Sequence, residues 1–260
     1  MGLLTGKKAL ILGVANQRSI AWGIARSFHA EGAAVRISCQ EERLKQKIER
    51  TEEGRLVEKI HLCDVSCDVA GENSVKGLFA DLSKDWSTLD ILVHSIAFAP
   101  MQALENRFHL ASKADFLSTM AISAYSLIEV SRYARPLMQG QGGSILTLSY
   151  LGGERVLPGY GIMGPAKAAL ESCVRYLSFD LGPEKIRVNA ISAGPLKTLA
   201  SSAFGNFNEA LKLIEEKTPL RQNITIDDVG GLAAFLASDL SKRVTGSIHF
   251  VDSGAHIMGA

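Results

Sequence analysis

Short apolar runs rich in Val, Ile and Leu recur along the chain, separated by longer stretches in which apolar residues return at every third or fourth position. The short runs predict strands at Ala9–Gly13, Val35–Cys39, Lys59–Asp64, Ile91–Ser95, Ser144–Ser149, Arg187–Ile191 and Ser247–Val251. The longer stretches predict helices near Ile20–Glu31, Leu44–Arg50, Asn73–Lys84, Phe116–Met138, Met163–Leu181 and Asp227–Ala237. Runs such as Ala9-Leu10-Ile11-Leu12 are apolar at every position rather than at alternate ones, so both faces of their sheet must be covered. Strand and helix in alternation imply parallel strands joined by crossover helices. The expected fold is α/β: a single doubly wound, Rossmann-type domain over residues 1–260, with a seven-stranded parallel sheet flanked by helices. No linker, repeat or low-complexity stretch interrupts it.

In such a sheet the ligand sits beyond the carboxyl ends of the strands, so the residues just after each strand are the candidates. After the first strand comes Gly13-Val14-Ala15-Asn16-Gln17-Arg18-Ser19-Ile20, a turn that opens a helix and directs backbone N–H groups and a helix N-terminus at a pyrophosphate. Gly13 allows close backbone approach, and Ser19 can cap the helix and donate to a phosphate oxygen. The turn is not Gly-x-Gly-x-x-Gly, and an ordinary strand-to-helix turn fits it as well. The second strand leads into Gln40, Glu41 and Glu42, where a dinucleotide meets the adenosine ribose. Carboxylates there repel a 2′-phosphate and favour NADH over NADPH, although Arg43 stands beside them. Asp64-Val65 closes the third strand, where a carboxylate and a backbone group can hold the adenine amino group, or the Asp can serve as a cap.

The strongest chemical signal is Tyr160-x6-Lys167 after the fifth strand, with Tyr150 on the same loop. On a helix this spacing is about two turns, which puts ammonium and phenol on one side. Hydride transfer to an electron-poor double bond leaves negative charge on an acyl oxygen. A phenol can donate to that oxygen, and a lysine can hold the nicotinamide ribose hydroxyls. His94, by contrast, falls in the exit run of the fourth strand and reads as a hydrogen-bonded structural residue.

Composition narrows the partners. The formal net charge is +1 and both signs are interspersed, so no footprint for nucleic acid or an anionic membrane surface exists. The apolar runs are too short to span a bilayer, and Met1–Lys8 lacks an export pattern, which points to the cytoplasm. Cys63-x3-Cys67 has no second ligand pair, the six histidines are scattered, and no metal is expected. Cys39 and Cys63 read as small buried hydrophobes. Ser123 and the Ser149-Tyr150 pair raise a hydrolase, but no Gly-x-Ser-x-Gly elbow is present.

The residues together resemble the enoyl-acyl carrier protein reductases, a divergent branch of the short-chain dehydrogenases, over nearly the whole chain. The resemblance rests on Gly13 through Ser19-Ile20-Ala21, Gln40, Cys63-Asp64-Val65, His94-Ser95-Ile96-Ala97-Phe98-Ala99-Pro100, Leu146 through Gly152, Tyr160-x6-Lys167 and Arg187 through Pro195. Most short-chain dehydrogenases carry Tyr-x3-Lys, and Gly164 stands where their lysine would fall. The resemblance implies NADH-dependent reduction of the trans-2 double bond of enoyl thioesters on acyl carrier protein, by a homotetramer. It implies that Tyr160 stabilises the enolate, that Lys167 binds the ribose, and that Tyr150 lies near the thioester. Cofactor contacts would come from Gly13, Ser19, Ile20, Gln40, Asp64, Val65, Ser95 and Ile96, with Leu196, Lys197, Thr198, Leu199 and Ala200 closing over the nicotinamide. Ala99, Met163, Phe204 and Phe207 would line the acyl pocket, and residues 196–217 would form a lid. Around Phe207 the family is often basic where this chain has Gly205, Asn206, Asn208 and Glu209. Asp252-Ser253-Gly254 likewise replaces a commoner Gly-Gly. Two rivals remain: a carbonyl reductase of the same superfamily acting on 3-oxoacyl thioesters or an alcohol, and a non-catalytic nucleotide sensor.

Overall fold

The structure, a computed structural model, describes residues 2–66, 74–105, 107–196 and 207–259. Its strands are β1 (Lys8–Leu12), β2 (Ala34–Cys39), β3 (Lys59–Leu62), β4 (Ile91–His94), β5 (Gly143–Ser149), β6 (Ile186–Ala193) and β7 (Ile248–Val251). All pair in parallel, in the order β3-β2-β1-β4-β5-β6-β7. Among the described residues the helices are α1 (Ile20–Ala30), α2 (Glu42–Glu49), α3 (Val75–Asp85), α4 (Met101–Glu105), α5 (Lys113–Met120), α6 (Ser126–Met138), α7 (Met163–Leu181), α8 (Phe207–Lys217) and α9 (Ile226–Ala237).

Alternate residues of each strand feed two separate cores, as continuous apolar strands require. Ala9 and Ile11 pack with Trp22 and Phe28 of α1 and with α9, whereas Leu10 and Leu12 pack on the other face with α3, α6 and α7. Side-chain oxygens fix where the helices begin. Ser19 accepts from Trp22 N, Ser74 from Gly77 N and Ser112 from Asp115 N, while Thr225 and Asp228 form a reciprocal capping box.

Three sequence expectations need correction. Gly13 and Asp64 fall outside β1 and β3, because the chain has already turned at Gly13 with φ +83° and at Asp64, whose carboxylate accepts from Ser66 N. The helix expected at Phe116–Met138 starts earlier, at Lys113, and carries a π-turn over Ala121–Tyr125. Helix α4 was not anticipated as an element, since its five residues are too few for apolar periodicity to register, and α8 falls in the stretch expected as a lid. Helix α7 starts at Met163, which places Pro165 in its first turn, where a missing N–H costs nothing.

A polar knot lies within the sheet. The His94 side chain, fully buried at the end of β4, meets Thr147 Oγ1 at 2.9 Å through Nδ1 and Ser126 Oγ at 2.7 Å through Nε2. Ser126 gives its one hydroxyl proton to Ile122 O at 2.6 Å, so Nε2–H donates to Ser126, while the Thr147 hydroxyl lies between Nδ1 and His94 O, 3.2 Å away. Complete burial keeps the ring neutral. Burial, helped by the positive charge of Lys167, pushes its pKa down to about 3. His94 is structural, as the sequence indicates.

His61 is held neutral for the same main reason, its pKa lowered from 6.5 to about 4 by burial and by Lys59. The unfolded chain binds protons at both residues below pH 6.5 and the folded chain does not, so stability is fully present above that pH and falls as pH drops through it. Urea midpoints should decline between pH 7 and pH 5, above the range in which most carboxylates titrate. His94→Asn should be less stable at pH 7 and show a shallower decline; an unchanged slope would remove His94 from the linkage.

Candidate active site

The chain leaves β1 towards β2 on one side, while β4 lies on the other, so a crevice opens above their carboxyl ends. Gly13 lies at its floor. A Cβ on Gly13 would stand 2.1 Å from Ser95 O, and its φ of +83° is left-handed, so only glycine lets the β1 loop cross the end of β4 this closely. The loop is held by Val14 N donating to Ser38 O at 2.9 Å. Ser19 ends it, donating to Asn16 O at 2.6 Å and accepting from Trp22 N at 3.3 Å, and Ile20 begins α1 with its N–H groups towards the crevice mouth.

Beyond β2 and β3 the structure brings Gln40 and Asp64 together. Burial raises the Asp64 pKa, but hydrogen bonds from Ser66 and Gln40 outweigh it and leave the carboxylate below its ordinary value. Asp64 is thus ionised and partly engaged by its own turn, with Val65 half-buried beside it. Glu41 and Glu42 are exposed at the start of α2. Ser95 and Ile96 are half-buried past β4, Ile96 against the core beneath. These residues line one continuous edge of the sheet, from β3 across β2 and β1 to β4.

The reacting end is built by β5 and α7. Tyr150 follows the last residue of β5, and its ring centroid lies 5.1 Å from that of Tyr160, tilted by 60°. Tyr160 sits in the turn that ends before α7 begins at Met163, the start expected from the sequence, so only part of its spacing to Lys167 is helical. Its ring fills the space over Gly152, where a Cβ would approach Tyr160 Cδ1 to 2.4 Å. Burial, with the charges of Tyr150 and Glu171, drives the Tyr160 phenol far above its ordinary range, so it stays protonated. Burial also raises the Tyr150 pKa. Lys167 is 6% exposed, and its Nζ donates to Leu148 O at 2.7 Å. Burial lowers its pKa to about 8, against the opposing effect of Glu171, so it carries its charge at neutral pH. Met163 is buried at the start of α7, Leu196 is buried past β6, and Ala99 is half-buried before α4.

A cavity of about 410 Å³ opens beside Tyr150, lined by Leu157, Pro195, Leu213, Ile214 and Met258 among others. Arg155 braces one wall by donating to Met258 O at 2.7 Å. Lys197, Thr198, Leu199, Ala200 and Phe204 lie outside the described residues, as does Cys67; Phe207 is the first residue of α8. Cys39 and Cys63 are buried, with pKa values raised by that burial to about 11 and about 12, so both are inert thiols.

Four residues contribute in ways the sequence alone did not assign. Ser123, in the π-turn, accepts from Phe98 N at 2.9 Å and donates to Phe98 O at 3.0 Å, which fixes the loop bearing Ile96 and Ala99 and occupies the hydroxyl that raised a hydrolase. Thr147 and Ser126 hold His94. Glu171, one turn beyond Lys167, accepts from Ser149 Oγ. A Glu four residues after the candidate lysine, on a face otherwise apolar, was the available signal.

The family model described as enoyl-(acyl carrier protein) reductase matches residues 13–256. The enoyl-[acyl-carrier-protein] reductase [NADH] FabI of Rickettsia typhi is 48% identical over 99% of this chain and 97% of its own. A solved enoyl-(acyl-carrier-protein) reductase from Anaplasma phagocytophilum, in complex with NAD, superposes with a TM-score of 0.93 at 46% identity, covering 100% of this chain and 97% of its own. The Bacillus cereus enoyl-acyl carrier protein reductase, solved with NADP+ and indole naphthyridinone, gives 0.94 at 46% identity with 100% coverage of both. With a family model spanning the crevice, the tyrosine pair and the buried lysine, and full-length relatives this similar, the chain belongs to the enoyl-acyl carrier protein reductase family.

Proposed function

We propose that this chain reduces the trans-2 double bond of enoyl thioesters carried on acyl carrier protein, using NADH, in fatty acid elongation. The observation that carries the reading is the arrangement at the end of β5, where the Tyr160 ring lies over Gly152 and edge-on to Tyr150, and the buried Lys167 ammonium donates to Leu148 O. The crevice fits a dinucleotide: Gly13 lets the β1 loop lie tight against the end of β4, the N-terminus of α1 opens at the crevice mouth where a pyrophosphate would lie, and Gln40 with Asp64 offers polar partners at the adenosine end. Exposed Glu41 and Glu42 beside the ribose position disfavour a 2′-phosphate. Reduced nicotinamide, when bound, supplies hydride to the β-carbon.

The residues of the chain manage the charge that follows. Tyr160 donates a hydrogen bond to the thioester oxygen as the enolate forms, and an aimed donor of this kind lowers the barrier by roughly 2.7–4 kcal/mol. Lys167 holds the ribose hydroxyls and places a positive charge beneath them. Tyr150 packs edge-on against Tyr160 and bounds the thioester side of the cavity. A solvent proton then completes the α-carbon. Residues 196–217 act as the lid, Ala99, Met163, Phe204 and Phe207 as acyl contacts, and Ser95 with Leu196, Lys197, Thr198, Leu199 and Ala200 as contacts of the nicotinamide end. Exposed Lys212, Lys217 and Arg221 offer the acidic carrier the cations that the flanks of Phe207 lack. A homotetramer is supported by the outer face of α7, where Tyr176 is 76% and Phe179 is 86% exposed. Free Cys39, Cys63 and Cys173 fit a reducing cytoplasm.

Three outcomes are expected with purified protein. NADH oxidation should proceed with crotonyl or dodecenoyl thioester and not with acetoacetyl thioester; the reverse order would make the enzyme a carbonyl reductase. NADH should support faster turnover than NADPH on one enoyl substrate. Tyr160→Phe should lower kcat by on the order of a hundred- to a thousand-fold while NADH still binds, by fluorescence titration.

Gly152→Ala tests placement of the ring without touching its chemistry. The new methyl group displaces Tyr160. Misplacement by about 1 Å costs on the order of a hundred-fold in kcat, again with NADH affinity kept. Wild-type turnover in that variant would show that the ring position is not critical.

A further inference from the structure

Glu171 is a buried carboxylate that the mechanism above does not use. It is 6% exposed, lies on α7 one turn beyond Lys167, and accepts from Ser149 Oγ, the hydroxyl of the residue immediately before Tyr150. The Leu151–Gly153 turn is shaped around it: a Cβ on Gly153 would stand 3.1 Å from Glu171 Oε1 and 3.2 Å from the α7 backbone at Lys167 and Ala168. One carboxylate thus joins the strand end that presents Tyr150 to the helix that presents Lys167.

We propose that Glu171 is a positioning residue that locks these two segments together and holds the Lys167 ammonium in its charged form beneath the nicotinamide ribose. The inference rests on the ribose-binding role of Lys167 set out above.

Charges around the pair are few. From the β5 side come Ser149, Tyr150 and Glu154, from α7 Lys167 and Arg175, from β4 the neutral His94, and from the loop before α7 Tyr160. Burial raises the Glu171 pKa and Glu154 adds to it, while Ser149, Arg175 and Lys167 draw it back. Among the described residues Glu171 is the charge that counters the burial bringing Lys167 down to about 8, beside the Leu148 carbonyl that accepts its hydrogen bond. Loss of that negative charge lets the lysine deprotonate at lower pH, and the grip on the ribose goes with it.

The test is NADH affinity and kcat/KM measured from pH 6 to 9.5. Glu171→Gln keeps an acceptor for Ser149 and removes only the charge. Its alkaline limb should move down by about one pH unit, the size of effect that one close opposite charge exerts. NADH binding should then be several-fold weaker at pH 8.5 and near wild type at pH 6.5. Ser149→Ala, which keeps the charge, should leave the limb in place and lower kcat. An alkaline limb unchanged in Glu171→Gln overturns the proposal, as does a uniform loss at every pH, which a merely structural role would give.

If Glu171→Gln does not fold, the side-chain 15N signal of Lys167 in the wild-type protein decides. It should show a second inflection in the acid range as its carboxylate neighbour titrates, and a single inflection overturns the coupling. A wild-type protein that fails to bind NADH sinks the ribose-binding reading instead. A protein that binds it normally and shows no pH coupling to Glu171 sinks only this inference.

Discussion

A lysine ammonium held almost out of water is the constraint on which the reacting end depends. Burying an unpaired charge costs several kcal/mol even after relaxation, so the surroundings must answer it or the proton leaves. Here the answers come from two directions: the Leu148 carbonyl at the end of β5, 2.7 Å away, and the negative charge of Glu171 one helical turn on. Both depend on α7 lying against the end of β5, and that contact depends in turn on glycine at position 152, where a side chain would collide with Tyr160, and at position 153, where one would press tightly on the helix. The lysine, the two tyrosines and the glycine turn form one mechanical unit.

The sheet puts that unit beside the nucleotide crevice without further design. Neighbouring β4 and β5 both run parallel to β1, so their carboxyl ends arrive on one edge, and the divergence of the chain between β1 and β4 opens the crevice there. The neutral His94 ties the two strand ends to α6 through Thr147 and Ser126. Any sliding of β4 against β5 would leave a buried imidazole nitrogen without a partner, at a cost of about 1–3 kcal/mol. The Ser123 clamp on Phe98 does the same for the loop that follows β4. Polar groups in this region act as registers, and the apolar cores on either side supply the bulk of the stability.

Period and turn chemistry made the sheet legible in the sequence, because buried parallel strands are apolar at every position and each is followed by a turn residue such as Gly13. Ser19 could be read as a cap from its place before an apolar helix. The π-turn at Ala121–Tyr125 could not, since it differs from an α-helix by one residue of hydrogen-bond register and leaves the apolar pattern nearly intact. Gln40 meets Asp64 because β2 pairs with β3, and Ser149 meets Glu171 because α7 packs on the end of β5; neither contact is visible in local sequence. The helix start at Met163 was legible from the sequence, and it leaves Tyr160 ahead of the first helical turn rather than on the helix face that carries Lys167.

That last point explains why the wider spacing suits this chain. Had the lysine stood three residues nearer the phenol, at Gly164, its Cβ would lie 3.0 Å from the Gly152 carbonyl, pressed against the turn that supports Tyr160. With glycine at 164 the turn can settle on α7, and the ring of Tyr160 can lie over Gly152 rather than project from the helix. Lys167 then takes the next place on the same helix face, with Glu171 one turn further to answer its charge. Moving the phenol off the helix and the lysine along it are two parts of a single rearrangement. The result is a Tyr160 ring packed edge-on against Tyr150, which in turn lines the cavity beyond it.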